Sequence, residues 1–474
     1  MSFPYKKLDE ADIAYIRSHT APERVWVGEE IPKEYYHDEM PEYGIFPPEL
    51  YVEVLTKEEV AAVLRYANGH NIPVTARGAG TGLAGGATCK YGGILLSVLK
   101  MNRIIEVDEE NLSITAEPGV LLTEIADVAK EHGMFYPPDP GERTASIGGT
   151  VITNAGGMRA VRYGLTRDYV RAIEAVLPNG DIVTFSSNVV KNTTGLDVKD
   201  LIIGSEGILC VVTRVTLKLI AAPRCSYSLV VPYDSIEKCI GTVPKLLNSS
   251  IIPTAIEFIE EELLEIVERT LGKAFPDHSG KAYLILMIDG SSKEAVEADC
   301  DVAADICLDA GALDVLLCNT EERIGSVWSV RGAVLEGMKA DTTSEEECDV
   351  VVPRSKIAEY VLAAKEIGAR HRVRIITVGH AGDGNIHTEI LRDDLTDEEW
   401  ATTTDEVLRA LYAKSKELGG QLSGEHGIGN GRLKYLRDFV GDEMYRLYQS
   451  IKLAFDPNNI LNPGKVIELE TEAS

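Results

Sequence analysis

None of the eight cysteines (Cys89, Cys210, Cys225, Cys239, Cys300, Cys307, Cys318 and Cys348) stands in a C-x-x-C pair. That absence argues against a zinc ribbon and against a cysteine-ligated iron–sulfur cluster in this chain. No run approaches 18 uncharged apolar residues, so no membrane-spanning helix is expected. The first twenty residues, MSFPYKKLDEADIAYIRSHT, have no apolar stretch of the secretory kind. A cytoplasmic protein with its thiols kept reduced is the expectation. Cations are scarce: 47 Lys and Arg face 75 Asp and Glu, a formal charge of −28. Such a balance disfavours nucleic acid, where affinity comes mainly from cationic contacts to phosphate, and anionic lipid for the same reason.

What is present is ordinary for a globular protein: 474 residues, 45% hydrophobic and 26% charged, enough for two or three domains. Residues 1–45 are polar and read as a helical lead-in. From there a repeating strand–helix text runs to about 222. Tyr51–Leu55 reads as a strand. A helix follows, with Thr56 as N-cap and Glu59 placed for a capping box. Strands follow at 72–77 and 93–98, then a helix from Leu122 closed by Gly133. After Pro223 the strands Ser226–Val231 and Tyr283–Ile288 alternate with acidic amphipathic helices at 234–248 and 292–311. That pattern predicts an α+β domain over 223–415, an antiparallel sheet with helices on one face. A helix at 399–419 leads into a C-terminal segment, 416–474, which ends in turns.

The first chemical signal is the loop Arg77-Gly78-Ala79-Gly80-Thr81-Gly82-Leu83-Ala84-Gly85-Gly86. Gly80, Gly82 and Gly85 satisfy G-x-G-x-x-G after a strand, yet the dinucleotide fingerprint must open a helix. Here the chain runs on into an apolar strand, so that reading fails. Two readings remain: a nest of backbone N–H groups able to hold an anion, or a tight structural loop. Two more glycine-bearing polar loops are expected in the same domain. One is Ser146-Ile-Gly-Gly149-Thr150-Val-Ile-Thr-Asn154-Ala-Gly-Gly157, after Pro137-Pro138-Asp-Pro and before Tyr163. The other is Gly204-Ser-Glu206-Gly-Ile208.

The second signal is His380-Ala-Gly-Asp-Gly-Asn385-Ile-His387. Its Gly-Asp-Gly turn forbids a continuous helix, so the histidines converge across a strand–turn–strand. Ser423-Gly-Glu425-His426-Gly supplies a carboxylate beside a third histidine. Two imidazoles and a carboxylate fit a divalent cation with positions left for substrate. Unrelated polar loop residues would give the same letters.

Together these stretches resemble the FAD-binding oxidoreductases of the vanillyl-alcohol oxidase/p-cresol methylhydroxylase superfamily. More narrowly they resemble the branch holding the glycolate oxidase FAD subunit, D-lactate dehydrogenase and D-2-hydroxyglutarate dehydrogenase. The likeness runs from about residue 40 to 467. It implies a two-subdomain FAD-binding domain over 46–222, a substrate domain, and a C-terminal segment that completes the active site. It implies that the backbone of Arg77, Gly78, Ala79, Gly80, Thr81 and Gly82 holds the FAD pyrophosphate. Pro138, Ser146, Gly149, Thr150, Asn154, Gly157, Tyr163, Glu206, Ile208 and Asn462 would line the cofactor. Cys210 and Ile208 depart from the family's usual Gly and Thr. Some relatives attach flavin through a His or Cys in the first loop. Residues 77–87 hold neither, so non-covalent FAD is expected, with Cys89 the one nearby thiol.

By the same resemblance His380, His387 and Glu425 bind zinc, manganese or iron(II). His426 is the base, and Trp328-Ser-Val-Arg331 resembles the family's helix whose Arg, here Arg331, grips a carboxylate. The implied reaction oxidises a D-2-hydroxy acid to the 2-oxo acid, with hydride passing from C2 to flavin N5. Glu347-Cys348 stands before Asp349, where relatives taking hydroxyglutarate tend to carry Lys. D-lactate or glycolate is therefore favoured over D-2-hydroxyglutarate. With no cysteine cluster, electrons are expected to leave for a partner, an electron-transfer flavoprotein or an iron–sulfur subunit. Two other classes stay in play: a metal-dependent hydrolase, and an FAD-binding subunit without turnover.

Overall fold

The computed structural model describes residues 4–469. The chain divides into two compact units. One comprises the chain up to Ala155, Leu165–Ala222 and the chain from His426 onward; the other comprises Gly156–Gly164 and Pro223–Glu425.

In the first unit, two sheets carry the glycine-rich stretches. A four-stranded sheet has the order Val25–Val27, Leu50–Glu53, Ile94–Ser97, Val74–Arg77. Its last three strands are parallel. The strands Val74–Arg77 and Ile94–Ser97 are joined by the glycine loop and not by a helix, which is the physical reason a dinucleotide fold is absent. The predicted helix forms at Lys57–His70, and the Thr56 hydroxyl accepts from the Glu59 N–H. The reciprocal half of the capping box does not form. The Glu59 carboxylate instead takes the N–H of Leu55 and the guanidinium of Arg24. Val60, Val63, Leu64 and Ala67 from this helix pack with Leu50, Val52, Val74, Ile94 and Leu96 in one apolar core. A second sheet of five antiparallel strands includes Val170–Val176 and Val211–Lys218.

Two local expectations are corrected here. The lead-in is helical only at Glu10–His19; short 3-10 turns and the strand Val25–Val27 follow it. The stretch after Ser146 is a helix, Ile147–Thr153, not a loop. Its first turn lies on the chain just before it in space, with the Ile147 N–H donating to Val120 and the Gly148 N–H to Pro118.

The second unit is built on one seven-stranded antiparallel sheet. The order is Leu316–Cys318, Cys225–Tyr233, Ala282–Gly290, Ala255–Glu260, Arg374–His380, Asn385–Leu391, Glu345–Val351. Helices cover both faces, not one. Val327 and Val330 of Glu321–Gly332 and Met338 of Val334–Asp341 pack with Ile259, Ile285 and Ile376. On the other face, Tyr360 of Ile357–His371 meets Cys348. The near-continuous apolar run Tyr283–Ile288 carries that signal, since a strand exposed on one face would alternate.

Candidate active site

Antiparallel register sets the chemistry of the second unit. Glu257 lies directly opposite His380, Val378 opposite His387, and Asp349 opposite His387 on its other side. Residues paired across strands share a face. Glu257, His380, His387 and Asp349 are therefore brought to one face, although Glu257 and His387 stand 130 positions apart in sequence. The hairpin Arg374–His380/Asn385–Leu391 is the predicted strand–turn–strand.

Both histidines point a ring nitrogen at the same atom. His380 Nε2 is 3.2 Å, and His387 Nε2 3.5 Å, from Glu425 Oε1. One ligating atom from each of the three residues lies within 4.8 Å of the others. The far nitrogens are held as well. His380 Nδ1 sits 2.8 Å from both oxygens of Glu257, and His387 Nδ1 2.7 Å from Glu347 Oε1. A carboxylate at Nδ1 keeps the proton there and leaves the Nε2 lone pair for a cation. Glu425 is aimed by Asp349, whose Oδ2 accepts from the Ser423 hydroxyl and the N–H groups of Gly424 and Glu425. Its Oδ1 accepts from the Asn385 amide at 2.7 Å.

Four carboxylates (Glu257, Glu347, Asp349 and Glu425) thus gather about the two imidazoles, and the Arg331 guanidinium pairs with Glu257. Buried charge of one sign is costly unless balanced, and this donor set fits a divalent cation. Burial works against charging His380, but Glu257 and Glu425 outweigh it and hold the imidazole well above its ordinary range. Burial likewise opposes charge on His387, and Glu347 reverses the outcome. Burial would raise Glu257, yet His380 and Arg331 bring it below the usual carboxylate value.

Arg331 ends the helix Glu321–Gly332, as the sequence suggests. Its Nε donates to Glu257 Oε2 at 2.9 Å and its Nη2 lies 2.8 Å from the same oxygen. Two of its five donors therefore orient the carboxylate behind His380. His426, the next residue after Glu425, begins the chain's last stretch in the first unit.

Several of the remaining residues expected at a cofactor gather in the first unit. The Ala79 N–H donates to the Ser146 hydroxyl at 3.3 Å. A Cβ on Gly78 would stand 2.2 Å from that oxygen, and one on Gly149 3.1 Å from it. The glycine loop and the start of the helix Ile147–Thr153 are thus pressed together around Ser146, where only a bare backbone fits. Gly80 turns at φ +82° directly over Arg77, whose guanidinium is spent on the carbonyls of His37 and Ala87. Arg77 therefore braces the loop with its side chain. Asn462 ties the loop's far end, its amide donating to the carbonyls of Gly86 and Glu206. Thr81 and Gly82 continue the same loop, a Cβ on Gly82 coming 3.9 Å from the buried Asp38.

Other expected residues have local partners. Thr150 hydrogen-bonds within its own helix. Asn154 accepts from the Arg167 N–H. Pro138 and Ile208 are buried. Gly157 and Tyr163 belong to the second unit, where the Tyr163 hydroxyl donates to Asp289. Cys89 is buried, and burial pushes its thiol up to about 11, which leaves almost no thiolate for attack on a flavin.

Sequence reading uses Glu347 and Asp349 only to choose among substrates, and does not single out Glu257. An acid inside the apolar strand Ala-Ile-Glu257-Phe-Ile is the signal that was available for it.

Two family models match the chain: an FAD binding domain over residues 48–186, and the C-terminal domain of FAD linked oxidases over residues 222–466. The chain belongs to the FAD-linked oxidase family. A D-lactate dehydrogenase of Anaerostipes hadrus is 46% identical, covering 94% of this chain and 95% of its own. One from Archaeoglobus fulgidus is 39% identical over 88% and 90%. The glycolate oxidase subunit GlcD of Bacillus subtilis is 36% identical over 91% of each. Among solved structures, p-cresol methylhydroxylase with substrate bound superposes with a TM-score of 0.81 at 19% identity, covering 99% of both chains. The p-cresol methylhydroxylase fold expected from the sequence is the fold observed. The protein is an FAD-dependent oxidoreductase, and no described helix is long and apolar enough to cross a membrane.

The crowding at Ser146 makes a direct prediction. Gly78→Ala forces a shift where the glycine loop meets Ser146, a disturbance of about 1–3 kcal/mol for added bulk in a tight site. FAD affinity should fall about tenfold or more, read by fluorescence titration of the apoprotein. Unchanged affinity would separate this loop from the cofactor.

Proposed function

We propose that the protein oxidises a small D-2-hydroxy acid, D-lactate or glycolate, to the 2-oxo acid. The observation that carries the proposal is the pair of imidazole Nε2 atoms turned on one oxygen of Glu425, each imidazole backed by its own carboxylate. Family membership favours this over a hydrolase using the same three residues, and sets it beside relatives named for D-lactate and glycolate.

His380, His387 and Glu425 would hold a divalent cation, which supplies Lewis acidity toward the substrate hydroxyl and carboxylate. The nest at 77–82, with Ser146, Gly149, Thr150 and Asn462, would hold FAD without a covalent bond; FAD supplies the hydride acceptor. His426 takes the proton of the C2 hydroxyl, as an imidazole suits proton transfer near neutral pH. Arg331, fixed through Glu257, keeps further N–H donors for the substrate carboxylate.

The size limit comes from charge. Glu345, Glu346 and Glu347 run along the edge strand, and Glu347 lies directly opposite the buried Glu389. A second substrate carboxylate would meet acids on this side, which disfavours D-2-hydroxyglutarate. Electrons must then leave the chain. No disulfide joins any of the eight cysteines, seven of which are buried, and no candidate metal group among the described residues contains one. A separate acceptor, an electron-transfer flavoprotein or an iron–sulfur subunit, fits these facts, and the −28 charge suits a basic docking face.

Anaerobic mixing of the holoenzyme with D- and L-lactate, glycolate, D-malate and D-2-hydroxyglutarate tests the reading. Bleaching of the flavin band by D-lactate or glycolate, and much slower bleaching by the dicarboxylates, is expected. Faster bleaching by D-2-hydroxyglutarate would reverse the substrate assignment; no bleaching by any of them would remove it.

A further inference from the structure

Glu206 has an arrangement that a cofactor-lining residue does not need. It is not a glycine, yet its backbone sits at φ +51°, between Gly204 at +83° and Gly207 at +73°. The left-handed region costs an ordinary residue about 1–2 kcal/mol, and such strain persists where the surroundings impose it. What the strain achieves is visible in the side chain. Glu206 Oε1 accepts from the N–H of Ile428 at 2.8 Å, and Oε2 from the N–H of Gly429 at 2.8 Å. Two successive N–H groups converging on one carboxylate form an anion nest, here filled from within the chain.

The glycines on either side of Ile428 have no room for a side chain. Gly427 turns at φ +86°, and a Cβ there would lie 2.9 Å from Glu206 Cδ. Gly429 turns at φ +49°, and its Cβ would lie 2.0 Å from the Ala84 carbonyl. The next residues are fastened to the glycine loop. The N–H groups of Asn430 and Gly431 donate to the Ala84 carbonyl at 2.9 and 3.0 Å, and Arg432 donates to Leu83 at 3.0 Å. Asn462 closes the ring by bridging the carbonyls of Gly86 and Glu206. His426 therefore opens a segment whose next residues are clamped on one side by Glu206 and on the other by the loop at 83–86.

We propose that Glu206 is a positioning residue for His426: its carboxylate holds the 427–429 turn, and so sets where the imidazole stands relative to the cofactor loop. The inference rests on the reading of His426 as the base. Its content is that Glu206 acts on proton transfer and not on cofactor affinity.

Glu206→Ala, Glu206→Gln and His426→Ala, each loaded with FAD, form the test. A misplaced base lowers the rate steeply, because about 1 Å of displacement can cost two orders of magnitude. Glu206→Ala should slow substrate-dependent flavin reduction about 10- to 100-fold and displace its pH–rate profile, with the Kd for FAD changed less than about threefold. Glu206→Gln keeps one acceptor oxygen and should recover part of the rate; it also tests the point should the alanine variant fail to fold. Reduction at the wild-type rate and pH profile in both Glu206 variants, while His426→Ala is inactive, would overturn the proposal. So would a loss of FAD affinity as large as the loss of rate, which would make Glu206 a cofactor-holding residue. Normal reduction by His426→Ala would instead remove the base assignment, and the clamp's catalytic meaning with it.

Discussion

His426→Ala is expected to abolish flavin reduction by the hydroxy acid while leaving FAD in place. The two halves of that result have different origins. General-base catalysis by a positioned side chain contributes about 10²- to 10⁴-fold, and alanine removes the only imidazole in the Glu425–Gly429 turn. The glycine loop proposed to hold FAD, by contrast, is closed by Ser146, Asn462, Arg432 and the backbone of Asn430 and Gly431, none of which is replaced. Stopped-flow absorbance near the flavin maximum under anaerobic conditions reads the first half, and the absorbance spectrum after gel filtration reads the second. Partial recovery of the rate with added imidazole would localise the loss to the missing base. Reduction at the wild-type rate would show that the hydroxyl proton leaves by another route.

The elements that carry this chemistry were legible where local chemistry decides them. Gly382-Asp383-Gly384 between two histidines dictates a tight turn, and a turn between apolar β-forming runs makes a hairpin whose register then brings His380 and His387 to one face. The glycine loop was legible as something other than a dinucleotide turn, because a strand follows it where a helix would be required. Thr56 was legible as an N-cap because its hydroxyl serves an N–H three residues on.

Where the outcome depends on a distant partner, the sequence is silent. Glu59 has the spacing for a capping box, but Arg24, folded against it, offers two charged donors and takes the carboxylate. Arg331 sits on the expected helix, yet its engagement with Glu257 follows from a strand 74 positions earlier. The carboxylates behind the two histidines come from Ala255–Glu260 and Glu345–Val351, and only the seven-stranded register puts them there. Gly148 and Gly149 suggest a loop after Ser146, since glycine disfavours helices. Packing overrides that preference, because a Cβ at Gly148 would lie 2.5 Å from Pro118. Glycine there serves close approach, not flexibility.

Removal of the divalent cation proposed for His380, His387 and Glu425 is expected to have an effect as large as the loss of His426. Dialysis against EDTA should stop reduction of the flavin by substrate, and readdition of zinc, manganese or iron(II) should restore it, with the restoring ion identifying the natural one. The site's own geometry supplies a sharper version that does not rely on turnover. Glu347 is not one of the three proposed ligands; its carboxylate meets the His387 ring at Nδ1, 2.7 Å away, and not at Nε2. Glu347→Gln leaves all three ligands in place but substitutes a neutral amide for the carboxylate that fixes the imidazole's tautomer and raises its basicity. Outer partners of this kind are worth about 10- to 100-fold in metal affinity, so the variant should bind the ion that much more weakly in a calorimetric titration of the apoprotein. His387→Ala, which deletes a ligand, should lose stoichiometric metal altogether, while both variants keep FAD, since neither residue belongs to the unit that holds the glycine loop. If the metal-free enzyme turned over normally, the cation would have no part in the reaction. If Glu347→Gln held metal as tightly as the native chain, the histidine–carboxylate pairs would be a way of settling buried charge and not a way of preparing ligands.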